Sequence, residues 1–172
     1  MSYATVIGLP QIHLSPGELL VTRQPQVVVT VLGSCVAVTM FARQASLAAI
    51  CHAMMAQPQA TEGADQACDQ PFRYVSHVLP AMFATYRREG IALQSIEVKV
   101  FGGANLIAHA NGAPGAHWVG GANLAAVRTL LERARLTVSA ENTGGSRGRK
   151  ILFNTATGEV LHKHLRTTPH RP

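Results

Sequence analysis

Residues Val27 to Ala53 read VVVTVLGSCVAVTMFARQASLAAICHA, and the reading of this stretch decides the fold. It holds three apolar runs, Val27 to Leu32, Val36 to Phe41 and Leu47 to Ala53, rich in β-branched residues and separated by turn residues. Each run is short enough to read as a strand. A fourth run, Glu18 to Thr22, precedes them, so the first third of the chain is mainly sheet. Downstream, Met55 to Pro71 (MAQPQATEGADQACDQP) is polar and punctuated by Pro and Gly, which predicts a mobile surface loop. Phe72, Val75, Leu79, Met82, Phe83 and Tyr86 then recur at helical spacing, with Pro80 expected to kink or restart the helix and Gly90 to end it. Ile96 to Phe101 alternates as a strand whose Glu97 and Lys99 share a face, and Gly102-Gly103 imposes a tight turn. A second helix is expected after Gly120-Gly121, capped by Asn123, with Leu124, Val127, Leu131 and Ala134 as its apolar stripe. Leu136 to Ala140, Lys150 to Asn154 and Glu159 to Leu165 complete the strands, the last two joined at Thr157-Gly158. FGGANL at Phe101 recurs as VGGANL at Val119, which reads as reuse of one strand-to-glycine turn and not as a repeat fold.

With 172 residues and no break in composition, residues 1–172 are expected to form one mixed α/β domain with many antiparallel strands and about two main helices. The core runs from about residue 19 to 165, residues 55–71 form the loop, and residues 166–172 a frayed tail. No stretch approaches the roughly 18 uncharged apolar residues of a membrane span. The first residues lack the basic start and apolar run of a secretory signal, so the expected location is the cytoplasm. Three cysteines, Cys35, Cys51 and Cys68, with no CxxC pair, argue against a disulfide framework and a thiolate zinc site.

Fifteen basic against nine acidic residues give a net charge of +6, which favours an anionic partner. Nucleic acid is a poor fit. Charged residues are only 14%, and the basic cluster Arg147, Arg149 and Lys150 sits among glycines without aromatic residues for stacking. The run from Gly144 to Lys150 lacks the order of a phosphate loop and reads as a flexible turn entering a strand.

The chemistry centres on Cys35. A cysteine at a sharp Gly-Ser turn can expose its sulfur while backbone N–H groups freed from ladder pairing, at Ser34 and Cys35, serve an oxyanion. A small buried hydrophobe is the competing reading of the same residue. A cysteine nucleophile needs a base, and His52 is the candidate, on a strand where alternation puts Cys51 and His52 on opposite faces. One strand, a turn and another strand separate Cys35 from His52, as in a hairpin. His162 and His164 share a strand face without a third ligand, so no metal or other cofactor is expected. His13, His77, His109, His117 and His170 have no partner pattern.

LGSCVAV around Cys35, His52 seventeen residues later, KVFGGAN from Lys99, GGANLAAVRTLLERARLTV from Gly120 and the GG-x-x-GRK run from Gly144 followed by TGEV together resemble CheD, the chemoreceptor glutamine deamidases. The resemblance runs from about Leu19 to Leu165. It implies deamidation of receptor glutamine side chains to glutamate, and in some members hydrolysis of glutamate methyl esters. It also implies catalytic roles for Cys35, His52 and Thr30, with Thr30 holding the imidazole, and a layered α-β-α fold similar to bacterial toxin deamidases. Expected partners are the cytoplasmic helices of methyl-accepting receptors and, in some bacteria, the phosphatase CheC. Two departures stand out. Ala53-Met-Met-Ala-Gln57 replaces a hydrophobic stretch ending in Leu-Pro, and an aspartate common before the late Gly-Gly pair is replaced around Asn142-Thr143. Two rivals are a non-catalytic module binding receptors or CheC, in which Cys35 is a structural thiol, and a basic nucleic-acid binder. An activated Cys35 thiolate beside His52 is expected to alkylate faster than ordinary cysteines at neutral pH.

Overall fold

The computed structural model describes residues 8–58, 69–106 and 118–166. Most of the expected 55–71 loop, with Cys68, lies outside those residues, as do His109, His117, His170 and residues 167–172 of the tail. Among the described residues, nine strands form two sheets. The first has the order β1 (Gln11–His13), β3 (Val27–Leu32), β8 (Arg149–Asn154), β9 (Val160–His164). The second has the order β2 (Leu19–Thr22), β5 (Leu47–Ala53), β4 (Val36–Ala42), β6 (Glu97–Gly102), β7 (Val138–Thr143). All pairings are antiparallel except β1 with β3 and β6 with β7. The short β1 gave no sequence signal, because its three residues carry a single apolar side chain.

Helices α1 (Val75–Arg88) and α2 (Val119–Arg133) cover one face of the five-stranded sheet. Val36, Val38 and Met40 of β4, with Ala49 and Cys51 of β5, meet Val78, Leu79 and Met82 of α1 and Val127 and Leu131 of α2 in one buried cluster. The opposite face carries Ala37, Phe41, Ala48, Ile50 and Phe101, packed on Val28, Leu32, Ile151 and Phe153 of the four-stranded sheet. The α/β class and the largely antiparallel strands therefore hold. The layer order differs from the expected α-β-α: both helices share one side, and a second sheet forms the other outer layer. The reason is that β3 and β8 alternate cleanly, with Val28 and Leu32 inward and Val27 and Val29 outward against Leu152 and Leu161, which suits sheet-on-sheet packing.

Three local expectations change. Helix α1 runs through Pro80 without restarting, since Pro80 is exposed while the apolar stripe around it is buried. Helix α2 begins at Val119 and takes in Gly120 and Gly121, so Asn123 lies inside it and does not cap it, and the second GGAN copy is a helix start rather than a strand turn. The strand expected at Leu136 to Ala140 begins at Val138. The amide of Leu136 donates to Leu131 O (2.9 Å) and that of Arg135 to Glu132 O (2.9 Å), so both residues close α2 in a Schellman cap.

The basic cluster is also not what its composition suggests. Arg147 and Lys150 are exposed, but Arg149 is 0% exposed. Its guanidinium donates to Asn142 Oδ1 (2.8 Å) and to the carbonyls of Asn142 and Gly144. It thereby ties β8 of one sheet to the end of β7 in the other. The turn before it is tethered too, Gly144 N donating to Gly102 O (2.9 Å) and Asn105 N to Gly145 O (2.7 Å). Arg149→Met, which leaves those carbonyls without their donors, is expected to cost about 3 kcal/mol in urea unfolding. Asn142→Asp would restore a carboxylate where the resemblance expects one. It is expected to add about 1 kcal/mol above the ordinary aspartate pKa, because the existing contact becomes charge-assisted. A fall in the urea midpoint of Asn142→Asp at neutral pH would contradict this account of Arg149.

Candidate active site

Gly33, Ser34 and Cys35 carry the chain out of β3 in one sheet and into β4 in the other. The crossing is held from the side by the Gly102-Gly103 turn. Gly103 N donates to Cys35 O (2.8 Å) and Ala104 N to Gly33 O (2.8 Å). Gly102 has φ +103°, and a Cβ there would lie 2.2 Å from Cys35 O, so only glycine lets this backbone come so close. Gly120, in the first turn of α2, packs the same way, a Cβ meeting Gly103 O at 2.6 Å. Four glycines thus bring a sheet crossing, a turn and a helix start together around one cysteine.

The β4–β5 register places Ala37 opposite His52. Cys35 lies two residues before Ala37 on the same line of the strand, and it packs against the inter-sheet cluster that contains Ala37. Thiol and imidazole therefore share the inter-sheet face, one diagonal step apart, a geometry whose Cβ atoms sit within about 7–8 Å. Cys51 points the other way, into the helix-facing core.

Thr30 projects inward from β3 and meets His52 across the gap between the sheets. Thr30 Oγ1 lies 2.8 Å from His52 Nδ1 and 2.8 Å from Leu14 O. A hydroxyl has one hydrogen, and the Leu14 carbonyl can only accept it. Thr30 Oγ1 must then accept from the ring, so Nδ1 carries the proton and Nε2 keeps its lone pair. Nε2 is buried and has no hydrogen-bond partner among the described residues. A neutral imidazole oriented by a hydroxyl, with an unengaged basic nitrogen on the face that carries a thiol, is equipped to take a proton from that thiol.

The electrostatics favour the neutral pair. His52 is 2% exposed, and burial lowers its pKa below the ordinary value, with the Leu14 carbonyl and the Glu18 carboxylate pulling weakly the other way. Burial likewise raises the Cys35 thiol above its ordinary value, partly offset by its own backbone N–H. Burial at Cys35 thus works against a resting thiolate, the opposite of what fast alkylation at neutral pH would require. Cys51, fully buried, is pushed up to about 12, which leaves Cys35 as the accessible described thiol.

The depressed His52 pKa carries a stability prediction. The unfolded chain takes up the proton first, so the contribution is present above the ordinary histidine value of about 6.5 and is lost as pH falls through the lower folded value. His52→Gln is expected to flatten thermal stability against pH in that window. An unchanged slope would mean that the ring is not neutral in the folded state.

Asn123 was legible only as a cap. It is instead fully buried, and Nδ2 donates to Ser34 O (3.1 Å) and Met54 O (2.9 Å). Its place in the series Asn123, Val127, Leu131, a stripe otherwise apolar, was the available signal. The Leu14 carbonyl could not have been found, because a backbone acceptor leaves no mark in sequence. Among the described residues no three His, Cys, Asp or Glu side chains converge to hold a metal, and His162 and His164 lie ring to ring at 6.1 Å. No helix among them is long and apolar enough to cross a membrane.

Comparison with known proteins gives the family. A family model described as "CheD chemotactic sensory transduction" matches residues 54–164. The chain belongs to the CheD family. A relative from Oleidesulfovibrio alaskensis, named probable chemoreceptor glutamine deamidase CheD, is 41% identical over 92% of this chain and 74% of its own length. A second, probable chemoreceptor glutamine deamidase CheD 2 of Geobacter sulfurreducens, is 41% identical over 93% of both chains. A third, from Maridesulfovibrio salexigens, is 33% identical over 90% of this chain and 92% of its own. Among solved structures, the hypothetical protein YfiH of Bacillus licheniformis superposes with a TM-score of 0.49 at 14% identity, over 74% of this chain and 51% of that one. The family model begins at residue 54, after Thr30, Cys35 and His52.

Proposed function

We propose that this CheD chain converts selected glutamine side chains of chemoreceptors to glutamate, with Cys35 as nucleophile, His52 as general base and acid, and Thr30 as the group that orients the ring. The observation that carries the reading is the 2.8 Å Thr30–His52 contact, which leaves Nε2 without a proton on the face shared with Cys35. His52 Nε2 takes the Cys35 proton as sulfur attacks the amide carbon. The backbone N–H groups of Ser34 and Cys35 receive the developing oxyanion. Collapse expels ammonia, protonated by the imidazolium, and leaves a thioester. Water, deprotonated by His52, then releases glutamate and restores the thiol. A glutamate methyl ester fits the same steps with methanol as leaving group. Because a hydroxyl supports imidazolium less than a carboxylate does, a modest rate follows.

The net charge of +6 suits an acidic receptor bundle, and the reaction belongs in the cytoplasm, where receptor signalling helices lie. CheC, which binds some members of the family, would compete there for the same corner. The test is mass spectrometry of a receptor cytoplasmic fragment incubated with the protein, together with measured ammonia. Wild type should convert specific glutamines to glutamate, and Cys35→Ala should convert none while keeping its thermal midpoint. Full activity in Cys35→Ala would remove the thiol from the mechanism. Tight fragment binding without conversion would favour a non-catalytic regulatory module.

A further inference from the structure

Asn123 joins two chain segments that carry the proposed chemistry. Its single side-chain amide donates one hydrogen to the carbonyl of the residue before Cys35 and the other to the carbonyl of the second residue after His52. We infer that Asn123 is a positioning residue that aims the backbone N–H of Cys35 at the oxyanion, an assignment that rests on the deamidase reading above.

The argument is one of peptide geometry. Ser34 C=O and Cys35 N–H belong to the same planar unit, and the described residues have no cis peptide bonds, so the two groups point in opposite directions. Asn123 belongs to α2, on the helical side of the five-stranded sheet, and it draws the Ser34 carbonyl toward that side. Cys35 N–H is thereby turned to the other side, where the His52 ring and the Cys35 sulfur lie. The neighbouring carbonyls, Gly33 O and Cys35 O, are held by Ala104 N and Gly103 N, so Asn123 completes the hold on three successive carbonyls of the crossing. The second bond, to Met54 O, fixes the end of β5 relative to the same plane, so nucleophile, base and oxyanion donor are held by one side chain.

This role predicts a split between two reactions of the same sulfur. Deamidation passes through an oxyanion. Alkylation by iodoacetamide, a displacement at saturated carbon, does not. Wild type, Asn123→Ala and Asn123→Asp would be compared on a receptor cytoplasmic fragment for kcat and KM, and by peptide mapping for the alkylation rate of Cys35 at fixed alkaline pH. In both variants kcat is expected to fall about 100-fold, the size of effect seen when an oxyanion donor is lost, with KM changed by no more than about threefold. The Cys35 alkylation rate is expected to stay within about twofold of wild type. Asn123→Asp preserves volume while replacing the donor by an acceptor, and so carries the test should the alanine variant fail to fold. A folded variant that keeps kcat within about threefold overturns the assignment. So does alkylation falling in step with kcat, which would show a general collapse of the corner. A wild-type protein that releases no ammonia ends the deamidase reading and this assignment together, whereas active wild type with fully active variants ends this assignment alone.

Discussion

Thr30→Val should lower ammonia release by about 10²- to 10⁴-fold while leaving the fold in place, close to the loss expected for His52→Ala. Valine matches threonine in shape at this buried position, so packing between the sheets is kept. What disappears is the oxygen that accepts from Nδ1 and the hydrogen given to Leu14 O. Two buried polar groups then lack partners, at a cost of about 1–3 kcal/mol each before any rearrangement. The chemical consequence is larger than the structural one. Without an acceptor at Nδ1 the ring is free to carry its proton on Nε2, the tautomer that cannot take a proton from Cys35. Thr30→Ser keeps the hydroxyl and should stay within about tenfold of wild type, the loss reflecting the freer serine rotamer. Nitrogen chemical shifts of His52 read the tautomer directly. Full activity in Thr30→Val, or an Nε2–H ring in wild type, would defeat the orientation argument.

Gly102→Ala should be the most damaging alanine substitution among the described glycines. Its Cβ would sit 2.2 Å from Cys35 O and 3.1 Å from Val36 Cα, both backbone atoms, at a φ of +103° that L residues rarely adopt. No side chain can rotate away to relieve this. Backbone strain of about 1–3 kcal/mol adds to an overpacking cost of similar size, for a loss of about 2–6 kcal/mol and a fall in Tm of about 4–24 °C. The displaced group is the carbonyl of Cys35 itself, which Gly103 N holds. Activity should therefore vanish even at temperatures where the variant remains folded. Calorimetry and ammonia release on one preparation separate the two effects. An active variant with an unchanged Tm would show that the corner tolerates backbone movement.

These residues also show which features local pattern reveals. The strands Val27–Leu32 and Leu47–Ala53 were legible to the residue, because each is a short apolar run closed by turn residues. The helix of Val75 was legible from its stripe, although Pro80 argued for a break that burial on both sides overrode. Arg149 was grouped with Arg147 and Lys150 as one basic cluster, since nothing in a run of Gly, Ser and Arg tells that one arginine will be enclosed by carbonyls. Asn123 was misread for the same kind of reason: its partners, Ser34 and Met54, lie 89 and 69 residues away in the chain.

Sequence by itself determined the α/β class, the cysteine at a glycine-serine corner and the histidine one hairpin away, because alternation and turn chemistry act over a few residues. Tertiary structure decided that the corner is a crossing between two sheets. Only that crossing could bring Thr30 of one sheet against His52 of the other and add the Leu14 carbonyl that sets the proton on Nδ1. Contacts across packed layers depend on how sheets twist and stack, and no local period encodes them.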